Sequence, residues 1–177
     1  MSTIEPDKEF SKVAVISGLP SEGRVFDLSP DEAQRAAIAR RLDIPAVNAL
    51  RGRIELKPSQ GGIVLTGRVE ADLVRVCVVT LEHTNEAIAE AFELRFARSV
   101  GRDETDAELV IDENTPEPLE GDEIDIGEVL VQQLALAMNP YPRREGAVVD
   151  KAEFGQALET SPFAVLKGAI AERRDEE

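Results

Sequence analysis

The chain has few groups with which to do covalent chemistry: one cysteine, Cys77, and one histidine, His83, in 177 residues. A lone thiol rules out an internal disulfide, and one Cys with one His cannot build the usual four-ligand structural zinc site. No nucleophile on a local elbow and no x-x-H spacing accompanies His83, which follows a strand at a turn and reads as a solvated surface imidazole. A glycine-rich phosphate loop is missing too. Gly18 and Gly23 are not followed by Lys-Ser/Thr, and Gly61-Gly62 falls in a hairpin turn. The opening MSTIEPDKEF lacks both the basic start and the apolar run of a secretory signal. The longest apolar stretches, Val74 to Val79 and Leu134 to Met138, fall far short of the ~20 residues a membrane span needs. Together these gaps predict a soluble cytoplasmic protein with no cofactor, no metal and no membrane partner.

Positive charge is absent from a long stretch. Asp103 to Pro142 holds 12 acidic residues and no Lys or Arg. From Ala33 to Arg68 the balance reverses, with Arg35, Arg40, Arg41, Arg51, Arg53, Lys57 and Arg68 set against only Asp43 and Glu55. The formal charge of -15 argues against a broad grip on a phosphate backbone, DNA included, because such binding depends on cations that release counterions. It favours a basic partner for the acidic segment. The plainer alternative is that the carboxylates only keep the protein in solution.

What is present is a patterned fold. Ile126, Val129, Leu130, Leu134, Ala137 and Met138 lie on one helical stripe, interrupted only by Gln133. Asp125 is placed to cap that helix, with Glu128 at the capping-box position, and Asn139-Pro140-Tyr141-Pro142 ends it. A first helix is expected from Ser29 as cap and Pro30 in the first turn to about Leu42, with Ala33, Ala37, Ile38 and Leu42 inward. Pro45 opens a further helical turn to about Leu50. Phe10 to Ile16 reads as a first strand. Arg53 to Lys57 and Ile63 to Glu70 form a hairpin around Ser59-Gln60-Gly61-Gly62.

Asp72 interrupts, and Leu73 to Val79 follows as a central strand with Cys77 in its middle, a small buried apolar residue. Asn85 to Arg98 favours helix by propensity, yet Ile88, Phe92, Leu94 and Phe96 share one face at a period of two, so strand is predicted. Phe92 and Phe96 offer aromatic platforms for RNA bases, but Leu94 between them points to the core. Glu108 to Ile111 adds a short strand, and residues 99–121 form an acidic linker whose carboxylates miss the calcium-loop spacing. Asp122 to Asp125 pairs briefly. Residues 1–142 are then one α+β domain: a twisted, mostly antiparallel sheet, closing toward a partial barrel and packed by two main helices. Residues 143–177 form a peripheral, partly mobile tail with a short helix at about 161–170.

The order of these pieces resembles the YceD-like family of large ribosomal RNA subunit accumulation proteins. GRVEADLVRVCVVTLEHTNEAIAEAFELRFAR carries the resemblance, with the acidic gap, the DEIDIGE and LALAMNP segments, and the late PFAVL at Pro162 to Leu166. The resemblance implies a role in accumulation of 23S ribosomal RNA, hence in large-subunit assembly, with no enzymatic activity. It implies a ribosomal protein or assembly factor as partner, and rRNA as a second one. Many members carry C-x-x-C at the position of Cys77 to Thr80 and further cysteines just beyond the position of Pro142. Here Thr80 and Arg143-Arg144 stand there, so no metal site carries over.

The expected contacts are Arg35, Arg40, Arg41, Arg51, Arg53 and Lys57 for rRNA. Asp112, Glu113, Glu117, Glu120, Asp122 and Glu123 are expected to face a basic partner. Two rival classes stand beside this reading: a divalent-metal hydrolase or nuclease using the acidic residues, and an unrelated adaptor whose final helix fits a groove.

Overall fold

The computed structural model describes residues 9–98, 116–119 and 121–148. The elements follow in the order β1 (Val13–Val15), β2 (Arg24–Leu28), α1 (Glu32–Arg41), β3 (Ala46–Ser59), β4 (Gly62–Val76), β5 (His83–Arg98), β6 (Glu117–Leu119), β7 (Glu123–Asp125) and α2 (Ile126–Ala137). Five strands form an open sheet in the order β2-β3-β4-β5-β6, antiparallel except for β6, which lies parallel to the end of β5. A separate ribbon pairs β1 with β7. The fold is α+β, and the large sheet does not close into a barrel.

Long antiparallel strands arise where the chain alternates. On β3, Leu50, Ile54 and Leu56 are buried while Arg51, Arg53 and Lys57 point out. On β4, Ala71 opposite Leu50, Val69 opposite Gly52 and Leu65 opposite Leu56 complete the inner face, and Ile88 and Phe96 extend it onto β5. α2 covers that face. Ile126, Leu130 and Leu134 are fully buried, each contributing about 1.5–3 kcal/mol relative to exposure. Leu130 sits directly over Gly52, where an added Cβ would fall 2.5 Å from its Cδ1, so the absent side chain lets helix and strand approach.

Several expectations need correction. The N-cap of α1 is Asp31, not Ser29: its carboxylate accepts from Gln34 N at 2.8 Å, and Gln34 Oε1 accepts from Asp31 N at 2.9 Å. Both Asp31 and Ser29 are cap residues; the box closed on the one with an amide three positions on. Shifting the start exposes Ala33 and buries Ile38 and Ala39. Pro45 to Leu50 is not a helical turn but the start of β3. The register slips between Val47 and Ala49, which places Val47 and Leu50 on the same face three positions apart, a spacing that imitates a helix.

Asp72 does not interrupt β4; it points out opposite Ala49 and Ala87. Cys77 lies just past the end of β4, not within it, and His83 opens β5, still exposed. β2 was not expected; it is an edge strand whose Val25 is 44% exposed, so alternation is weak. The first strand is shorter than Phe10 to Ile16, and β6 lies inside the expected linker. The strand expected at Glu108 to Ile111 and the helix at 161–170 fall outside the described residues.

Candidate binding surfaces

The outer face of the sheet carries charge in ladders. Arg51, Arg53 and Lys57 of β3 stand beside Arg68 of β4 and Arg95 of β5, interleaved with Asp27, Glu55, Glu70, Asp72 and Glu93. Neighbours pair: Arg53 with Asp27 at 3.5 Å, Lys57 with Glu55 at 2.8 Å, Arg68 with Glu70 at 2.9 Å and Arg95 with Glu93 at 2.9 Å. These exposed pairs add little stability, but five cations against five carboxylates leave the face near neutral. Phe92 and Phe96 are not on it. Phe92 lies across Gly67 on the inner face and Phe96 is buried, so neither offers a stacking platform.

The expected basic strip is divided. Arg51, Arg53 and Lys57 share the outer face, whereas Arg35, Arg40 and Arg41 belong to α1. Arg41 ties α1 to α2: its guanidinium reaches Glu128 at 2.6 and 2.8 Å and Glu9 at 3.1 Å, and these carboxylates, Glu128 first, raise its pKa further. Arg35 donates to the carbonyl of Pro30 at 2.8 Å. Of the acidic set, Glu117 is exposed on β6, and Asp122 and Glu123 are exposed at the start of β7. Asp112, Glu113 and Glu120 lie outside the described residues.

A second constellation joins the β4–β5 turn to the segment after α2. Arg75 is the one charge in an apolar run, and it is 8% exposed. Its guanidinium meets Glu86 at 2.5 Å and donates to the carbonyl of Asn139 at 3.1 Å, while Glu86 accepts from Asn139 N at 2.7 Å. One residue beyond the strand, Cys77 Sγ accepts from the backbone amides of Val79 and Thr80 at 3.4 Å and of Arg144 at 3.3 Å. The Arg144 amide is the main cause, with Thr80 next, of a thiol pKa lowered to about 6. Val78 N donates to the carbonyl of Pro142, and the Arg144 side chain pairs with Glu82. Sequence reading missed this clamp, although a single arginine amid LVRVCVV signals a buried counter-ion.

The donor set does not fit a metal: Thr80 and Arg144 surround Cys77, and no group of three or more His, Cys, Asp or Glu suited to an ion occurs among the described residues. Three depressions lie on the sheet and its helix, and each mixes its few carboxylates with apolar or cationic side chains. One of about 390 Å³ between α2 and β5 holds Glu90 as its lone carboxylate, with Phe92 and Leu136. One of about 370 Å³ on the outer face mixes Arg51, Arg53 and Arg68 with Asp27 and Glu70. One of about 380 Å³ sets Glu70 and Asp72 beside Arg51. No described helix is long and apolar enough to cross a membrane.

Searches of curated proteins and of solved structures return no match. A family model described as large ribosomal RNA subunit accumulation protein YceD matches residues 65–170. That span takes in most of β4, all of β5 and α2, the Arg75–Glu86 clamp and Cys77. The match covers more than half of the chain, and the chain therefore belongs to the YceD family of large ribosomal RNA subunit accumulation proteins.

Proposed function

We propose that the protein supports accumulation of the large-subunit 23S rRNA without catalysis, by binding a basic ribosomal protein or assembly factor through its acidic side. One observation carries this reading: four of the five outward cations of the sheet hold an adjacent carboxylate and the face is near neutral, so the surplus negative charge lies elsewhere. A face whose arginines already hold carboxylates must exchange those contacts to hold phosphates. A chain of formal charge -15 also repels RNA at long range while attracting a basic protein.

The test is affinity purification at native salt, with and without ribonuclease. Capture of a basic ribosomal protein that survives ribonuclease is the expected result. Tight binding of protein-free 23S fragments at physiological salt, with no protein captured, overturns it. The hydrolase reading has its own signature. It requires metal-dependent cleavage of precursor rRNA that is lost when Asp122 or Asp125 becomes Asn.

A further inference from the structure

Among the described residues the β1–β7 ribbon leaves one edge without a partner strand, and its register says which backbone groups line that edge. Ile16 N donates to the carbonyl of Asp122 at 2.9 Å, and Ile126 N donates to the carbonyl of Lys12 at 2.9 Å. With Ala14 opposite Ile124, these contacts place residues 12, 14 and 16 at the hydrogen-bonded positions facing β7. Successive backbone groups point to opposite edges. The N–H and C=O of Val13 and Val15 therefore point away from β7, and among the described residues β1 pairs with no other strand.

The side chains at those two positions are as unusual as the backbone. Val13 is 50% and Val15 47% exposed, whereas Ala14 and Ile16 are buried. Soluble proteins protect an open edge with charge, proline or a covering element, and two exposed valines do the opposite. Directly across from Val15 stands Glu123, exposed, and across from Val13 stands Asp125. The chain around β7 carries no cation from Asp103 to Pro142.

We propose that β1 is a strand-addition site for an extended basic segment of a protein partner. The segment's backbone pairs with the outward groups of Val13 and Val15. Its alternate Arg or Lys side chains lay their aliphatic stems across the two valines. Their charged heads then reach Glu123, about 10 Å away across two strand spacings. This deepens the binding role proposed above by naming where and how the basic partner is read. It rests on that role for its biological meaning, not for its geometry.

The test uses the full chain and an eight-residue capped peptide alternating arginine and threonine, with an Arg-to-Glu version as control. Amide exchange is followed residue by residue. The arginine peptide is expected to slow exchange at Val13 and Val15 by about tenfold or more, and the glutamate peptide to leave it unchanged. Val15→Pro removes an outward donor that no ladder bond uses, so the fold is retained and peptide protection at Val13 is lost. Should that variant unfold, Val13→Lys with Val15→Lys serves instead, since like charge on the edge repels the peptide.

Protection of both amides before any peptide is added overturns the proposal, as does peptide binding that leaves them unprotected, or equal protection by the glutamate peptide. If full-length Val15→Pro still captures the basic ribosomal protein, the binding role stands and the edge is excluded. Loss of capture by the unmodified chain refutes the role while the peptide result stands on its own.

Discussion

Removing Glu86 tests whether the clamp between β5 and the end of α2 is structural. Glu86→Ala leaves the Arg75 guanidinium, whose side chain is 10% exposed, without its carboxylate at 2.5 Å, and leaves Asn139 N without its acceptor at 2.7 Å. Breaking one side of a fully buried pair costs about 3–5 kcal/mol, whereas the exposed Asn139 amide can turn to water at little cost. The small residual exposure of both side chains lets water reach the arginine in part, so the expected loss is about 3 kcal/mol in total. The double variant Arg75→Met, Glu86→Leu removes both charges and keeps the volume, and it is expected within about 1 kcal/mol of the parent. Urea denaturation of the parent, the single variant and the double gives these values directly, and exchange at the Asn139 amide reports the local effect. A single variant losing under about 1 kcal/mol, or a double that falls as far as the single, refutes the reasoning.

Four further outcomes follow from particular contacts. Gly52→Ala sets a methyl against Leu130 Cδ1 at 2.5 Å and is expected to lower stability by about 1–3 kcal/mol in thermal melts. Asp125 caps α2 at Gly127 N and Glu128 N and also accepts from Ser11 Oγ and Lys12 N, so Asp125→Ala is expected to cost about 2 kcal/mol, again by denaturation. Leu81 holds φ 60° and is 76% exposed, so Leu81→Gly relieves left-handed strain and is expected to raise stability by about 1 kcal/mol. Cys77 titrates near 6 in the fold against an ordinary value near 9, so its contribution is present in full above pH 9 and is lost as pH falls through 6. Stability should therefore rise between pH 6 and 9 in the parent and rise less in Cys77→Ser; equal pH profiles would show that the amides do not hold a thiolate.

Elements with an unbroken period were readable from residues alone. The stripe of α2, the 59–62 turn and the period-two face of β5 all appear as expected, the last against its helix propensity. Failure came where a local signal was genuine but used differently. The Val47–Leu50 spacing imitates a helix because a bulge inserts Asn48 between two inward residues. Two cap residues preceded α1, and only hydrogen-bond closure distinguishes Asp31 from Ser29. Cys77 sits in an apolar run that continues three residues past the strand, so composition placed it inside. The basic strip was contiguous in sequence, but alternation on β3 sends Arg51, Arg53 and Lys57 to one face while α1 takes the other three elsewhere.

The clamp joins the β4–β5 turn to the segment that follows α2. α2 ends at Ala137, before Pro140 and Pro142, and among the described residues that follow it no helix continues the contact with the β4–β5 turn, so the joint rests on individual bonds. Here the joint is made of polypeptide: Val78 N to Pro142 O, the Arg144 amide to Cys77 Sγ, and the Arg144 side chain to Glu82. Each bond links the same two segments, so they form and break together, and Arg75–Glu86 supports them from the inner face. Cys77 is fully buried beneath this strap, so a thiol of low pKa is shielded from reagents until the strap opens. Its modification rate is then a measure of strap opening and not of thiolate content. Alkylation that accelerates in Glu86→Ala at a pH where the thiolate is already formed would show that the two halves of the clamp act as one unit.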